Sequence, residues 1–117
     1  MKTKIIAEKT EQVFELRAGS LKRRIRKREV SEARHAYWLI AAYFGFTLSE
    51  IGANISRDHS SAYNSITRSL IFCVQDYSYR NKVHSLIKIM KTYENPEEKK
   101  RISKRTSLYR CAVDAII

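Results

Sequence analysis

Apolar side chains recur every three or four residues between positions 29 and 44, and this periodicity constrains the fold more than any other feature. The repeating positions are Val30, Ala33, Tyr37, Ile40, Ala41 and Phe44. That spacing places them on one face of an α-helix of about four turns. Acidic side chains stand in its first turn, where the helix dipole favours them, and Gly45 follows its end. The pattern predicts a helix over residues 29–44 whose apolar face lies in a core.

The remaining patterns predict five more helices. Residues 4–18 fit a helix loosely, and residues 48–53 form a short helix with Thr47 or Ser49 as its cap. A longer helix covers residues 58–77, and its apolar stripe comprises Tyr63, Ile66, Leu70, Cys73, Val74 and Tyr77. Further helices cover residues 81–93 and about 95–116, the last opened by Asn95 and Pro96. Three glycines and one proline leave little turn chemistry for a β-rich fold, so we expect an all-α helical bundle.

The charge balance points to a polyanionic partner. The 117 residues carry a formal net charge of +11, which favours DNA, RNA or an anionic membrane surface. Residues 21–28, LKRRIRKR, hold six cations in eight positions, and such a run either needs an anion to settle on or is a solvated linker. No apolar run is long enough to span a membrane, and the start of the chain is not a signal peptide. The expected location is the cytoplasm, on the nucleoid.

Catalytic and metal chemistry are not expected. Cys73 and Cys111 lie far apart without a Cys-x-x-Cys pattern, which favours free thiols in a reducing compartment. His35, His59 and His84 share no helical spacing that would bring them to one metal ion. Adjacent side chains such as Asp58 and His59 diverge by about 100° on a helix, so they do not form a catalytic pair.

The short helix, the turn and the longer helix make a helix-turn-helix unit. The second helix of such a unit enters the DNA major groove with its N-terminal end first. Arg57, Ser61, Asn64 and Arg68 fall on one face of that helix, and Ser60 lies beside them. Small hydroxyl side chains let the helix sit deep in the groove and bond base edges or phosphates.

Two residues at the start of this helix allow several roles. Asp58 either caps the helix or accepts a hydrogen bond from cytosine N4. His59 bonds a base or a phosphate, or it touches a thymine methyl group.

The sequence RDHSS, preceded by LSEIG and by RKREVSEAR, resembles the C-terminal DNA-binding domain of the bacterial chromosomal replication initiator DnaA. The resemblance covers roughly residues 24–70 and implies a helical bundle with a helix-turn-helix that binds double-stranded DNA. It divides the chain into an N-terminal helix in residues 1–19, a DnaA-like domain in residues 20–94 and a basic C-terminal helix in residues 95–117. The phosphate-loop pattern Gly-x-x-x-x-Gly-Lys is absent from the sequence, so we expect a freestanding DNA reader without an ATPase module, nucleotide or other cofactor.

The resemblance also implies roles for single residues. Six residues match positions that read bases in the family, namely the start of the second helix and an arginine that enters the minor groove. They are Arg57, Asp58, His59, Ser60, Ser61 and Arg26. Five further residues either match positions near the DNA phosphate backbone or are basic residues expected to lie next to it. They are Lys27, Arg28, Arg34, Asn64 and Arg68. Ser60 and Ser61 stand where the family has threonines, so some contact with thymine methyl groups is lost. Ala62 stands where the family has valine, so the packing under the helix differs.

The predicted function is sequence-specific binding of double-stranded DNA in replication initiation or transcription control, including that of a mobile element or prophage. The alternative is an RNA-binding or protein-interaction module that reuses the fold. The face formed by residues 57, 61, 64 and 68 separates the two. A duplex reader keeps this face exposed and flanked by cations, whereas a protein-interaction module has it covered by the terminal helix.

Overall fold

The structure is a computed structural model that describes residues 2–55, 57, 61–93 and 104–116, with side chains from residue 107 in the last range. Within these ranges the chain forms six α-helices and no strand. They are α1 (Thr3–Val13), α2 (Arg28–Tyr43), α3 (Leu48–Asn54), α4 (Ala62–Gln75), α5 (Tyr77–Lys91) and α6 (Lys104–Ile116). The predicted all-α fold is therefore confirmed.

Helix α2 lies at the centre, where it contacts all five other helices. Every residue from Ala36 to Phe44 is buried, so the C-terminal half of the helix has no solvent face, whereas its periodicity predicted a single buried face. Trp38 and Tyr43, which lie outside the predicted face, are also buried. Gly45 adopts a φ of 89° and closes the helix, because this left-handed conformation suits glycine.

Helix α4 shows a different face to the core from the one its apolar stripe predicted. Ile66 and Cys73 are buried as expected, but Tyr63, Val74 and Tyr77 are 47%, 63% and 69% exposed. The buried side of α4 is made largely of small residues: Ala62, Ser65, Ile66, Ser69 and Cys73. Small side chains allow close helix approach, and α2, which packs against α4, also contains buried alanines. Close packing therefore outweighed the burial of larger side chains.

A buried tyrosine joins three helices. The hydroxyl group of Tyr79 on α5 donates to the carbonyl oxygen of Glu32 on α2 at 3.1 Å. The Tyr79 hydroxyl oxygen also lies 2.8 Å from the hydroxyl oxygen of Ser69 on α4. Because the Tyr79 proton is used on Glu32, the Ser69 hydroxyl is the donor in that pair. Burial raises the pKa of Tyr79, which keeps its hydroxyl protonated. These bonds explain how a serine and a tyrosine hydroxyl are tolerated in the core.

Local capping moved two predicted helix boundaries. Helix α5 begins at Tyr77 rather than at residue 81, because the Asp76 carboxylate accepts hydrogen bonds from the N–H groups of Ser78 and Tyr79 at 2.9 and 3.3 Å. Helix α1 ends at Val13 rather than near residue 18. The predicted start of the last helix at Asn95 and Pro96 lies outside the described residues.

Helix α6 is attached to the C-terminal end of α2. The Tyr43 hydroxyl donates to the Asp114 carboxylate at 3.0 Å, and Arg110 Nε donates to the Tyr43 carbonyl oxygen at 2.7 Å. Val113 is buried between them and the core. These contacts fix the described part of the terminal helix at one end of the bundle.

Candidate nucleic-acid interface

The helix-turn-helix unit consists of α3, the turn that follows it, and α4. A capping box starts α3: Thr47 Oγ1 accepts from the Glu50 N–H at 3.2 Å, and Glu50 Oε2 accepts from the Thr47 N–H at 3.0 Å. Of the two predicted cap candidates, Thr47 is therefore the cap.

A buried hydroxyl group fixes α3 against α2. The Tyr37 hydroxyl donates to the Ile51 carbonyl oxygen at 2.8 Å and accepts from Asn54 Nδ2 at 3.3 Å. Burial raises the pKa of Tyr37 to about 12, so the hydroxyl keeps its proton and remains a donor. This pair of bonds sets the position from which the turn departs.

Gly52 allows the turn to close tightly. Its carbonyl oxygen accepts from the N–H groups of Arg57 at 2.8 Å and Ile55 at 3.2 Å. A Cβ added at Gly52 would lie 2.5 Å from the Arg57 carbonyl oxygen and 3.2 Å from the Trp38 ring. Gly52 allows close approach of Trp38 from α2, and the tightest approach is that of the turn backbone. Gly52 thus determines where Arg57 lies.

Residues 21–28, hereafter the basic segment, run along the protein surface between α1 and α2. Their cationic side chains are exposed, namely Lys22, Arg23, Arg24, Arg26, Lys27 and Arg28, whereas Leu21 is buried. The buried Glu11 carboxylate of α1 accepts from the Leu21 N–H at 3.1 Å. This bond and the burial of Leu21 fix the start of the segment.

The side chain of Arg34 on α2 bonds to the backbone of the same segment. Its guanidinium group donates to the carbonyl oxygens of Leu21 at 3.0 Å, Ile25 at 2.8 Å and Arg23. Burial lowers the pKa of Arg34, and the nearby charge of Arg57 lowers it further. Protein groups therefore order this backbone, so the segment is not a free linker.

The basic segment meets the turn before α4 at one atom. The Arg23 carbonyl oxygen accepts from Arg57 Nη2 at 3.2 Å as well as from Arg34. Two guanidinium groups share this acceptor, one from the long central helix and one from the helix-turn-helix. The side chain of Arg57 is partly buried as a result.

The described part of the α4 face is open to solvent. Ser61, Asn64 and Arg68 are exposed and share one side of the helix. The described part of α6 leaves these three side chains uncovered. Asp58, His59 and Ser60, predicted to read bases with them, lie outside the described residues.

This arrangement of a basic segment beside a helix-turn-helix agrees with a comparison at the sequence level. The chain matches the family model for the bacterial dnaA protein helix-turn-helix over residues 3–68, which is more than half of its 117 residues. The chain belongs to the DnaA helix-turn-helix family. Membership implies DNA binding, and the DnaA DNA-binding domain by itself carries no catalytic module. No curated protein matched the sequence.

The DnaA match extends further towards the N-terminus than the resemblance over residues 24–70. It begins at residue 3 and so includes α1, which supplies Glu11 as an anchor of the basic segment. It ends at Arg68, so α5 and α6 follow the matched range. In the described ranges, no helix is both long and apolar enough to cross a membrane.

The predicted phosphate contacts of the DnaA-like surface differ in their surroundings. Lys27, Asn64 and Arg68 are exposed. Arg28 is exposed but pairs with Glu32 at 3.0 Å, and a surface pair of this kind is weak enough to exchange for a phosphate. Arg34 uses three of its five N–H donors on carbonyl oxygens. Its phosphate contact stays a prediction, and its anchoring bonds were not foreseen.

His35, which neighbours Arg34 on α2, makes folding sensitive to acid. Burial lowers the pKa of His35, and the charges of Arg68 and Arg34 lower it further, against a smaller opposing effect of Glu32. Its Nδ1 atom is buried without a hydrogen-bond partner. The folded protein therefore binds a proton at His35 less readily than the unfolded chain, whose histidines titrate near pH 6.5.

We expect the free energy of unfolding to fall as the pH drops below about 6.5 through the lowered pKa of His35. Urea unfolding between pH 7.5 and pH 5 measures this fall. His35→Gln should reduce the pH dependence of the free energy of unfolding. An equal pH dependence in wild type and His35→Gln would refute the assignment.

Proposed function

We propose that this protein binds double-stranded DNA at a specific sequence, in replication initiation or transcription control. The start of α4 enters the major groove, and the basic segment enters the adjacent minor groove with Arg26. The observation that carries the proposal is the exposed polar face of α4 beside the exposed cations of the basic segment, the two being joined at the Arg23 carbonyl oxygen.

Electrostatics favours a polyanion at this surface. The basic segment holds six exposed cations, and Arg68 adds another on α4. Phosphate neutralisation by Lys and Arg supplies most of the affinity of such proteins and none of the sequence choice. Lys27, Arg28 and Arg68 are proposed for these contacts, and Asn64 for a hydrogen bond to the phosphate backbone. The Arg34 guanidinium group is engaged with carbonyl oxygens of the basic segment, so it is not included in this set.

Sequence choice then rests on the few side chains that reach base edges. Arg57 and Ser61 precede α4, with Asp58, His59 and Ser60 between them in the sequence. Each good base contact is worth about 1–3 kcal/mol of discrimination. Arg26 on the basic segment favours a narrow A·T-rich minor groove, where the potential is most negative. One surface thereby combines reading in both grooves.

Two charge-matched substitutions test this division of tasks. Arg57→Ala should weaken binding to a duplex selected by the wild-type protein by about 1–3 kcal/mol and weaken binding to a scrambled duplex much less. Lys22→Ala also removes one exposed cation, but it should weaken both duplexes slightly and alike. Fluorescence anisotropy titrations at one salt concentration measure all four changes. If the two variants lost the same affinity on both duplexes, Arg57 would not be a base-reading residue.

A further inference from the structure

The guanidinium group of Arg34 bonds alternate carbonyl oxygens of the basic segment, at positions 21, 23 and 25. Arg34 lies on α2 between the fully buried residues Ala33 and Ala36, so it projects from the central helix of the bundle. The backbone of the basic segment is therefore hydrogen-bonded to a core helix at three points, while the cationic side chains of the segment face solvent.

Arginine is the side chain suited to this task. Its planar guanidinium group offers five N–H donors in a fixed fork, whereas a lysine ammonium group is a single point with three donors. Bonds to three separate carbonyl oxygens need donors that point in different directions. Replacement by lysine keeps the positive charge but loses most of these bonds.

The Arg23 carbonyl oxygen extends this anchoring to the reading helix. It accepts from both Arg34 and Arg57, and Arg57 is in turn held by its own N–H bond to the Gly52 carbonyl oxygen at 2.8 Å. The backbone that carries Arg26 and the turn that opens α4 are thus fixed relative to each other through one acceptor.

We propose that Arg34 is a positioning residue for DNA reading: it holds Arg26 on the basic segment at a set distance from the start of α4, so that one rigid surface engages both grooves. This inference rests on the proposed function. It differs from a direct phosphate contact, because the effect of Arg34 is transmitted through Arg26.

Amide hydrogen exchange of the free protein tests the anchoring without DNA. In Arg34→Lys the Leu21, Lys22 and Arg23 amides should exchange about tenfold faster or more, because their turn opens locally. The amides of α5 should exchange as in the wild type, which shows that the fold is intact. Unchanged exchange at positions 21–23 would overturn the proposal whatever the DNA data show.

A double-mutant cycle tests the transmission. Arg34→Lys should lower affinity for the selected duplex about tenfold in the wild-type background and by less than about twofold in the Arg26→Ala background, since contacting or coupled residues are not additive. Arg68→Lys is the matched control, because Arg68 is an exposed arginine whose predicted phosphate contact does not depend on Arg26. Its effect should be the same factor in both backgrounds. An equal effect of Arg34→Lys in both backgrounds would mean that Arg34 contacts DNA itself, which overturns the proposal.

Glu11→Ala is a second test variant, because the loss of charge and the loss of positioning predict opposite changes in DNA affinity. Glu11→Ala removes a negative charge, so electrostatics alone predicts tighter DNA binding. Loss of the bond to the Leu21 N–H instead predicts a several-fold weaker complex. Glu11→Gln removes the charge but keeps an oxygen acceptor, and it should bind at least as tightly as the wild type. Tighter binding by Glu11→Ala would contradict the positioning role.

Failure of the proposed function gives a different result from failure of this inference. If the wild-type protein bound no duplex in preference to another, the proposed function would fall, and with it the role of Arg34 in reading. If the wild type bound selectively and the cycle showed no coupling, the proposed function would stand and the positioning role alone would fall.

Discussion

Raising the salt concentration from 50 to 200 mM is expected to weaken duplex binding about 10³-fold. Each neutralised phosphate contributes about −0.9 to the slope of log K against log salt. Five or six cations of this surface, among them Arg26, Lys27, Arg28, Arg57 and Arg68, give a slope near −5 if each neutralises one phosphate. Titrations of one duplex at four or more salt concentrations yield the slope directly.

Two exposed cations on different helices serve as the test and control of the salt effect. Arg68→Ala on α4 should reduce the magnitude of the slope by about 1. Lys88→Ala on α5 removes the same charge outside the predicted contact set and should leave the slope within its error. A slope that changed equally in both variants would indicate attraction by net charge rather than a defined phosphate surface.

Gly52→Ala is expected to lower the free energy of unfolding by about 2–3 kcal/mol and to weaken DNA binding. The new Cβ would lie 2.5 Å from the Arg57 carbonyl oxygen, a backbone atom that a side-chain rotation cannot move. The turn must open, so the bond from the Arg57 N–H to the Gly52 carbonyl oxygen is lost. The higher helix propensity of alanine, about 1 kcal/mol, offsets only part of this loss. Urea unfolding and duplex titration measure the two effects.

Ser49→Ala is the matched control for Gly52→Ala on the same short helix. Ser49 is exposed, and Thr47 rather than Ser49 caps α3. Its replacement should change the free energy of unfolding by less than about 0.5 kcal/mol and leave DNA binding intact. If Gly52→Ala behaved like Ser49→Ala, the closed turn would not position Arg57.

Local chemistry in the sequence was enough to predict the central helix and the helix-turn-helix unit. The periodicity over residues 29–44 located α2 to within one residue at each end. Thr47 and Glu50 have capping-box spacing, and the box is present at the start of α3. The scarcity of glycine and proline gave the all-α class, because helices close their own hydrogen bonds and need few turns.

Tertiary contacts decided what these patterns missed. Tyr63 and Val74 are larger and more apolar than Ser65 and Ser69, yet the serines face the core, because their size and the bond to Tyr79 favour that face. Nothing in the local sequence marks Glu11 or Arg34 as anchors of the basic segment, since their partners are backbone groups 10 and 13 residues away.

Selection of bound duplexes from a random pool, read at two salt concentrations, tests the central claim most directly. The full chain is expected to enrich a motif of several base pairs at both concentrations, with an A·T-rich flank where Arg26 enters the minor groove. The higher concentration should lower the yield without changing the motif, because phosphate contacts supply affinity and base contacts supply choice. A pool that remained random at both concentrations would contradict sequence-specific reading and favour an RNA-binding or protein-binding role for the same surface.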